Sequence, residues 1–249
     1  MTTTNIPKLT PLFKIKTLLV STLFLTVTSC AELQQIATQY PGIATAGTVD
    51  ISGGLKEALN NGITKQVSKL TATDGFYKNE AVKILLPEEL RKVDSGLRKM
   101  GLNSLADEGL KVLNRAAEDA VKEATPIFVS AIKNMTITDA KGILLGDTSA
   151  ATTYLQNSTT TALYSKFNPV IKNSFSKVGA DKVWTNIITK YNSIPLVNKV
   201  NPDLNDYVTN QAMNGVFKMI AVEEQNIRTN IGARTSPLLQ TVFAMQDSK

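Results

Sequence analysis

The 249-residue chain carries 27 Lys and Arg against 21 Asp and Glu, with one Cys and no His. Lacking His, it can build no Ser-His-Asp triad, Cys-His dyad or imidazole metal site, and a single Cys allows neither an intrachain disulfide nor a thiolate zinc site. The net charge of +6 falls to +3 when residues 1–29 are set aside, because they hold Lys8, Lys14 and Lys16 and no acid. A balance that mild, without aromatics among the bases, excludes a nucleic-acid partner.

Lys14 and Lys16 precede an uncharged run from Thr17 to Ser29, TLLVSTLFLTVTS. As a helix this run spans about 20 Å, short of the roughly 30 Å of a bilayer core. A basic stretch followed by a short apolar one reads as a secretory signal peptide over 1–29. The run closes on Val27-Thr28-Ser29-Cys30. This resembles the bacterial lipobox, in which the cysteine becomes the first mature residue. The resemblance implies that the Cys30 thiol takes a diacylglyceryl group, so that lipid at Cys30 holds the chain on a membrane. Two or more acyl chains anchor stably, each buried CH2 contributing about 0.8 kcal/mol. In the enterobacterial sorting rule Asp after the cysteine retains a lipoprotein at the inner membrane. Ala31 therefore points to the outer membrane, and the expected location is the cell envelope: its periplasmic face or the surface in a diderm. The alternatives are a buried Cys after an ordinary signal peptide, or a short membrane anchor.

Residues 30–51 read as a tether, with a short helix in AELQQIATQY, then Pro41-Gly42 and the small-residue stretch IATAGTVD. Residues 52–249 read as a single all-α domain of about eight to ten helices. Leu55, Leu59, Ile63, Val67 and Leu70 form one apolar stripe, with Ser52 as the expected N-cap. Thr71 to Gly75 is a turn, with Asp74-Gly75 its sharpest signal. A short helix is expected over Asn79 to Leu85. Pro87 opens another, with Glu88 and Glu89 against the helix dipole and Leu90, Val93, Leu97 and Met100 as its apolar face, and Gly101 ends it. A helix capped by Asn103 or Ser104 carries Leu105, Leu110, Leu113, Ala117, Ala120 and Val121, and Pro126 kinks or splits it. Thr138 and Asp139 start a short helix that Gly146 stops. The Thr- and Ala-rich stretch after it lacks strict alternation, and Pro169 begins another segment. Trp184, Ile187, Ile188 and Tyr191 form a further stripe. The last long helix opens at Pro202 with Asn201 as cap and runs to Ile227. Ser236-Pro237 caps a final helix.

The segments GLKEAL (54–59), DGFYKN (74–79), ILLP (84–87), NRAAEDA (114–120) and MTITDAKGILLG (135–146) occur in order. AATTYL (150–155), DLNDYVT (203–209), GVFKMIAVEE (215–224) and IRTNIGART (227–235) complete the series. Together they resemble an uncharacterised family of bacterial lipoproteins, domain of unknown function 4197. The resemblance implies a helical envelope lipoprotein and carries over no catalytic residue.

Three constellations are candidates for function. Arg115 and Glu118, at i and i+3, share a helix face, and Asn114 and Glu118 lie at i and i+4. Glu223, Glu224, Arg228 and Arg234 form a late cluster in which Glu224 and Arg228 stand at i and i+4. Each set reads either as a salt bridge that docks helices or as the lining of a cleft. Thr138, Asp139 and Lys141 read as ordinary capping chemistry. Adjacent carboxylates such as Glu223 and Glu224 point about 100° apart on a helix, so spacing alone makes them no acid/base pair. Gly53-Gly54 reads as a capping turn. No metal or cofactor is expected. The expected function is a non-enzymatic, membrane-anchored lipoprotein that binds an envelope protein or an apolar ligand. The alternative is a carboxylate enzyme acting on a cell-wall glycan, with Glu118, Glu223 or Glu224 as acid or base.

Overall fold

A computed structural model describes residues 50–247, apart from 88–90, 102, 194, 197, 198, 200 and 202. Cys30 and residues 30–49 of the expected tether therefore lie outside the described residues, as do Pro202 and the side chains of Leu90, Val93, Leu97, Leu105, Trp184, Ile187, Ile188 and Tyr191; residues 50 and 51 belong to the first helix and its cap.

Helix α1 runs Ile51–Thr71. Its stripe Leu55, Leu59, Ile63, Val67 and Leu70 is wholly buried. The cap is Asp50 rather than Ser52: its carboxylate accepts from the Gly53 amide at 2.8 Å. A carboxylate there meets both an orphan N–H and the positive end of the helix dipole. The turn after α1 forms as expected, with Asp74 at φ +67°. The helix expected over 79–85 does not form; the segment runs in turns and then irregular chain. Its Ile84 N–H and C=O pair with the Asn114 side chain instead of with helical neighbours.

Helix α2 spans Arg91–Lys99, and Gly101 follows at φ +78°. Met100 is exposed, so it belongs to no buried face. Helix α3 (Asn103–Val121) and α4 (Ala124–Lys133) break at 122–123. Pro126 thus sits in the first turn of α4, where its missing N–H would find no helical partner. Helix α5 (Ile137–Leu145) is capped by Thr136, two residues before the Thr138 expected to start it. The Asp139 amide donates to Thr136 Oγ1 at 3.1 Å, and the Thr136 amide to Asp139 Oδ2 at 2.9 Å, completing a capping box.

Helix α6 spans Ala150–Val178 and contains Pro169, which does not begin a new segment. Leu155, Thr159, Leu163, Phe167, Ile171 and Phe175 recur every four residues, and all are buried. That unbroken core face outweighs the roughly 3 kcal/mol an interior proline costs. Thr159 is tolerated inside because its hydroxyl donates to the Leu155 carbonyl at 2.6 Å. Helices α7 (Ala180–Asn192) and α8 (Leu204–Thr229), a 3-10 turn (Ile231–Ala233) and α9 (Pro237–Asp247) complete the chain. Asp203, not Asn201, caps α8, accepting from the amides of Asn205 and Asp206.

Among the described residues the domain is all helical, with no strand. Seven helices reach ten residues, and α2 and α5 have nine each. The two longest, α6 and α8, pack most extensively and run antiparallel. Tyr164 meets Asp206 at 2.8 Å near one end, and Thr152 meets Glu224 at 2.7 Å at the other. Helices α1, α3 and α4 close the core around them, with Phe128 edge-on to Phe217 at 6.1 Å between centroids.

Candidate functional site

Helix α3 presents Asn114, Arg115 and Glu118 toward the irregular segment 72–86. Asn114 is fully buried. Its Oδ1 accepts from the Ile84 amide at 2.8 Å, and its Nδ2 donates to the carbonyls of Ile84 at 2.9 Å and Leu110 at 2.7 Å. Glu118 Oε1 accepts from the amides of Phe76 at 3.1 Å and Tyr77 at 3.4 Å. Arg115 donates to Glu118 Oε2 and to Asp74 Oδ1, both at 2.5 Å. A hydrogen bond from Lys78, with Arg115 nearby, holds the Asp74 carboxyl below the usual carboxylate range. These side chains replace the partners that segment 72–86 lacks within itself.

The late cluster lies at the end of α8. Glu224 Oε1 accepts from the Ala151 amide at 2.9 Å, and Oε2 accepts from the Thr152 amide at 2.8 Å and hydroxyl at 2.7 Å. Arg228 reaches the same Glu224 through Nε at 3.1 Å and Nη2 at 2.8 Å. It also donates to the carbonyls of Ile143 at 2.8 Å and Leu144 at 3.3 Å and to Gln246 Oε1 at 2.9 Å. Arg234 then donates to the carbonyls of Ile227 at 3.1 Å and Arg228 at 3.0 Å, and to both carboxylate oxygens of Asp247. Its guanidinium lies 5.6 Å from the centre of the Phe243 ring. Hydrogen bonding from Arg234 holds the Asp247 carboxyl below its usual range.

Glu223 faces the other way, toward α1. It accepts from Gln66 Nε2 and from Lys65 Nζ, each at 2.6 Å. The adjacent carboxylates of Glu223 and Glu224 therefore serve different helices.

The structure joins Glu224, Arg228 and Arg234 into one network. The Arg115–Glu118 pair belongs to a second, and Asp139 stays in its own exposed cap. Asn114, marked with Glu118 by its i, i+4 spacing, does join the second network, whereas Asp74, Gln66, Lys65 and Asp247 complete the networks without having been marked as functional. Gln66 flanks an apolar stripe, which is the one local hint of a buried amide. Asp247 stands thirteen positions from Arg234, too far for any helical pattern to pair them. Among the described residues, no group of three or more Asp or Glu side chains converges as a metal site. No described helix is long and apolar enough to cross a membrane.

Backbone-capping ions at the helix ends define an all-helical domain whose polar groups largely brace its own frame. The chain belongs to the family described as Protein of unknown function (DUF4197), whose model matches residues 45–244. No curated protein and no solved structure matches the chain.

Proposed function

We propose that the chain is a lipoprotein of the bacterial cell envelope, anchored to a membrane through lipid at Cys30, with a helical domain that binds or scaffolds rather than catalyses. The observation that carries the second half is the bonding of Glu224 and Arg228. Both are almost wholly buried, and their hydrogen bonds run to backbone groups of α5 and α6, to Thr152, to Gln246 and to each other. An acid or base held this way has no oxygen directed at a substrate. The anchoring half rests on the basic and apolar stretches that end at Cys30, the only thiol in the chain. The full chain is to be expressed in a diderm host fed a clickable palmitate analogue. Label on the wild type and none on Cys30→Ser is the expected result; an unlabelled wild type overturns the anchor.

A further inference from the structure

Segments 54–59, 215–224 and 227–235 meet beside Glu223, where a cavity of about 290 Å³ opens between α1, the end of α8 and the 3-10 turn. That volume sits at the lower edge of the roughly 300–1,000 Å³ typical of small-molecule sites. Its lining is mixed: buried Ala58, Gly62, Ile227 and Leu239 give it one apolar side, and the buried Glu223 carboxylate stands beside them. Asn61, Lys65 and Asn230 lie exposed at its mouth. Gly62 keeps the space open: a Cβ there would lie 3.3 Å from Glu223 Cγ and 3.9 Å from Ile227 Cδ1. Ala58, Gly62, Glu223 and Ile227 also border a separate void of about 30 Å³ lined by Leu59 and Ile63.

The charged pair in this cavity is asymmetric. The Glu223 side chain is 10% exposed and the Lys65 side chain 49%. Buried Gln66 fixes one oxygen of Glu223 by its 2.6 Å hydrogen bond, so the carboxylate is a rigid element. Lys65 holds the other oxygen from the solvent side on a long, flexible stem. An ammonium half in water forfeits little on leaving one carboxylate for another. Lys65 therefore occupies, from within the chain, a place that an external ammonium can take.

We infer that this cavity is a binding site for a small zwitterion of the amino-acid class with an apolar side chain. The ligand's ammonium takes the Glu223 oxygen that Lys65 now holds. Its carboxylate pairs with the displaced Lys65 ammonium, and its side chain lies on Ile227 and Leu239. The fixed acid, the mobile base and the apolar wall match the three parts of such a molecule. This inference goes beyond the anchoring proposal and does not depend on it, since palmitate labelling and ligand binding fail separately.

The test is calorimetric titration of the full chain in detergent with three probes: L-leucine, 3-methylbutylamine and 4-methylpentanoate. Leucine is expected to bind, with each half-ligand about tenfold weaker or worse, the loss that a missing charged contact brings. Glu223→Gln keeps an acceptor for Gln66, and its fold is checked by circular dichroism; it is expected to lose leucine binding about tenfold or more. Lys65→Met, on a half-exposed side chain, is expected to lose leucine while binding the amine more tightly than the wild type does. Three results overturn the inference: no heat with any probe, leucine binding unchanged in Glu223→Gln, or the amine alone binding as well as leucine.

Discussion

Glu224 and Arg228 sit one turn apart on α8 and together span the junction between α5 and α6. Arg228 takes the carbonyls of Ile143 and Leu144 at the end of α5. Glu224 takes the amides of Ala151 and Thr152 at the start of α6. Each ion thus meets the helix end of opposite partial charge, and the ion pair itself closes the circuit. The i, i+4 spacing that would contribute only about 0.3–0.5 kcal/mol on a surface acquires a larger role because both ends are buried.

Arg228→Met tests that role. Removing one partner leaves the Glu224 carboxylate buried without its cation, which costs about 3–5 kcal/mol. In a domain of this size the melting temperature should fall by about 6–20 °C. Glu224→Gln keeps an acceptor for only one of the two α6 amides, turns a donor toward the other and strips buried Arg228 of its anion, so it should cost at least as much. Urea denaturation of the two variants beside the wild type reads the order directly, and equal stability of all three would show the pair to be dispensable.

Asn114 predicts a local effect rather than a global one. Asn114→Leu fills similar volume but orphans the Ile84 amide and carbonyl, each worth about 1–3 kcal/mol when buried and unpaired. Segment 72–86 should then open before the helices do. Limited trypsin digestion should cut sooner at Lys78 or Lys83 than in the wild type. Cleavage that begins at α3 instead would contradict the clamp.

Acid should weaken the fold through its paired aspartates. Hydrogen bonds from Arg234 lower the Asp247 carboxyl, those from the Thr136 amide and hydroxyl lower Asp139, and those from Ser149 lower Asp147. A lowered folded pKa contributes stability that is complete above the unfolded value of 3.8 and disappears as pH falls through the folded value. Asp247→Asn should therefore be less stable than the wild type at pH 7, with the gap narrowing by pH 3. Denaturant midpoints at the two pH values check this. A gap that widens in acid would reverse the assignment.

The frame was legible where apolar spacing was regular. The stripe of α1 is buried as its spacing requires, and so is that of α8 through Leu204, Val208, Ala212, Val216, Ile220 and Ile227, with Met219 of the same stripe only half-buried. Stops at Gly101 and Gly146 and the Ser236-Pro237 start were equally legible, because turn chemistry is local. Three features were not. The short helix at 79–85 lost to a side chain thirty positions away. The break expected at Pro169 lost to a core face that only tertiary packing reveals. The polar candidates were recognised as residues, but their partners Asp74, Asp247 and Gln66 are remote in sequence, so the late cluster divided, with Glu223 turning to α1 while Glu224, Arg228 and Arg234 stayed joined.

Glycines offer a final test, because close approach and free space predict opposite signs. At Gly75 a Cβ would lie 2.4 Å from the Lys69 carbonyl oxygen and 2.5 Å from that of Leu70, both backbone atoms that cannot step aside. At Gly215 it would lie 2.7 Å from Cε1 of fully buried Phe76. Alanine at either site should destabilise by about 1–3 kcal/mol through overpacking. Gly142 lies within α5 with nothing inside 4 Å of its Cβ position. There alanine restricts the unfolded chain and favours the helix, and should stabilise by about 0.4–1 kcal/mol. Melting curves of the three single variants decide the matter: Gly142→Ala should rise by about 1–4 °C while the other two fall. A fall at Gly142 would mean that α5 is covered by something beyond its own neighbours.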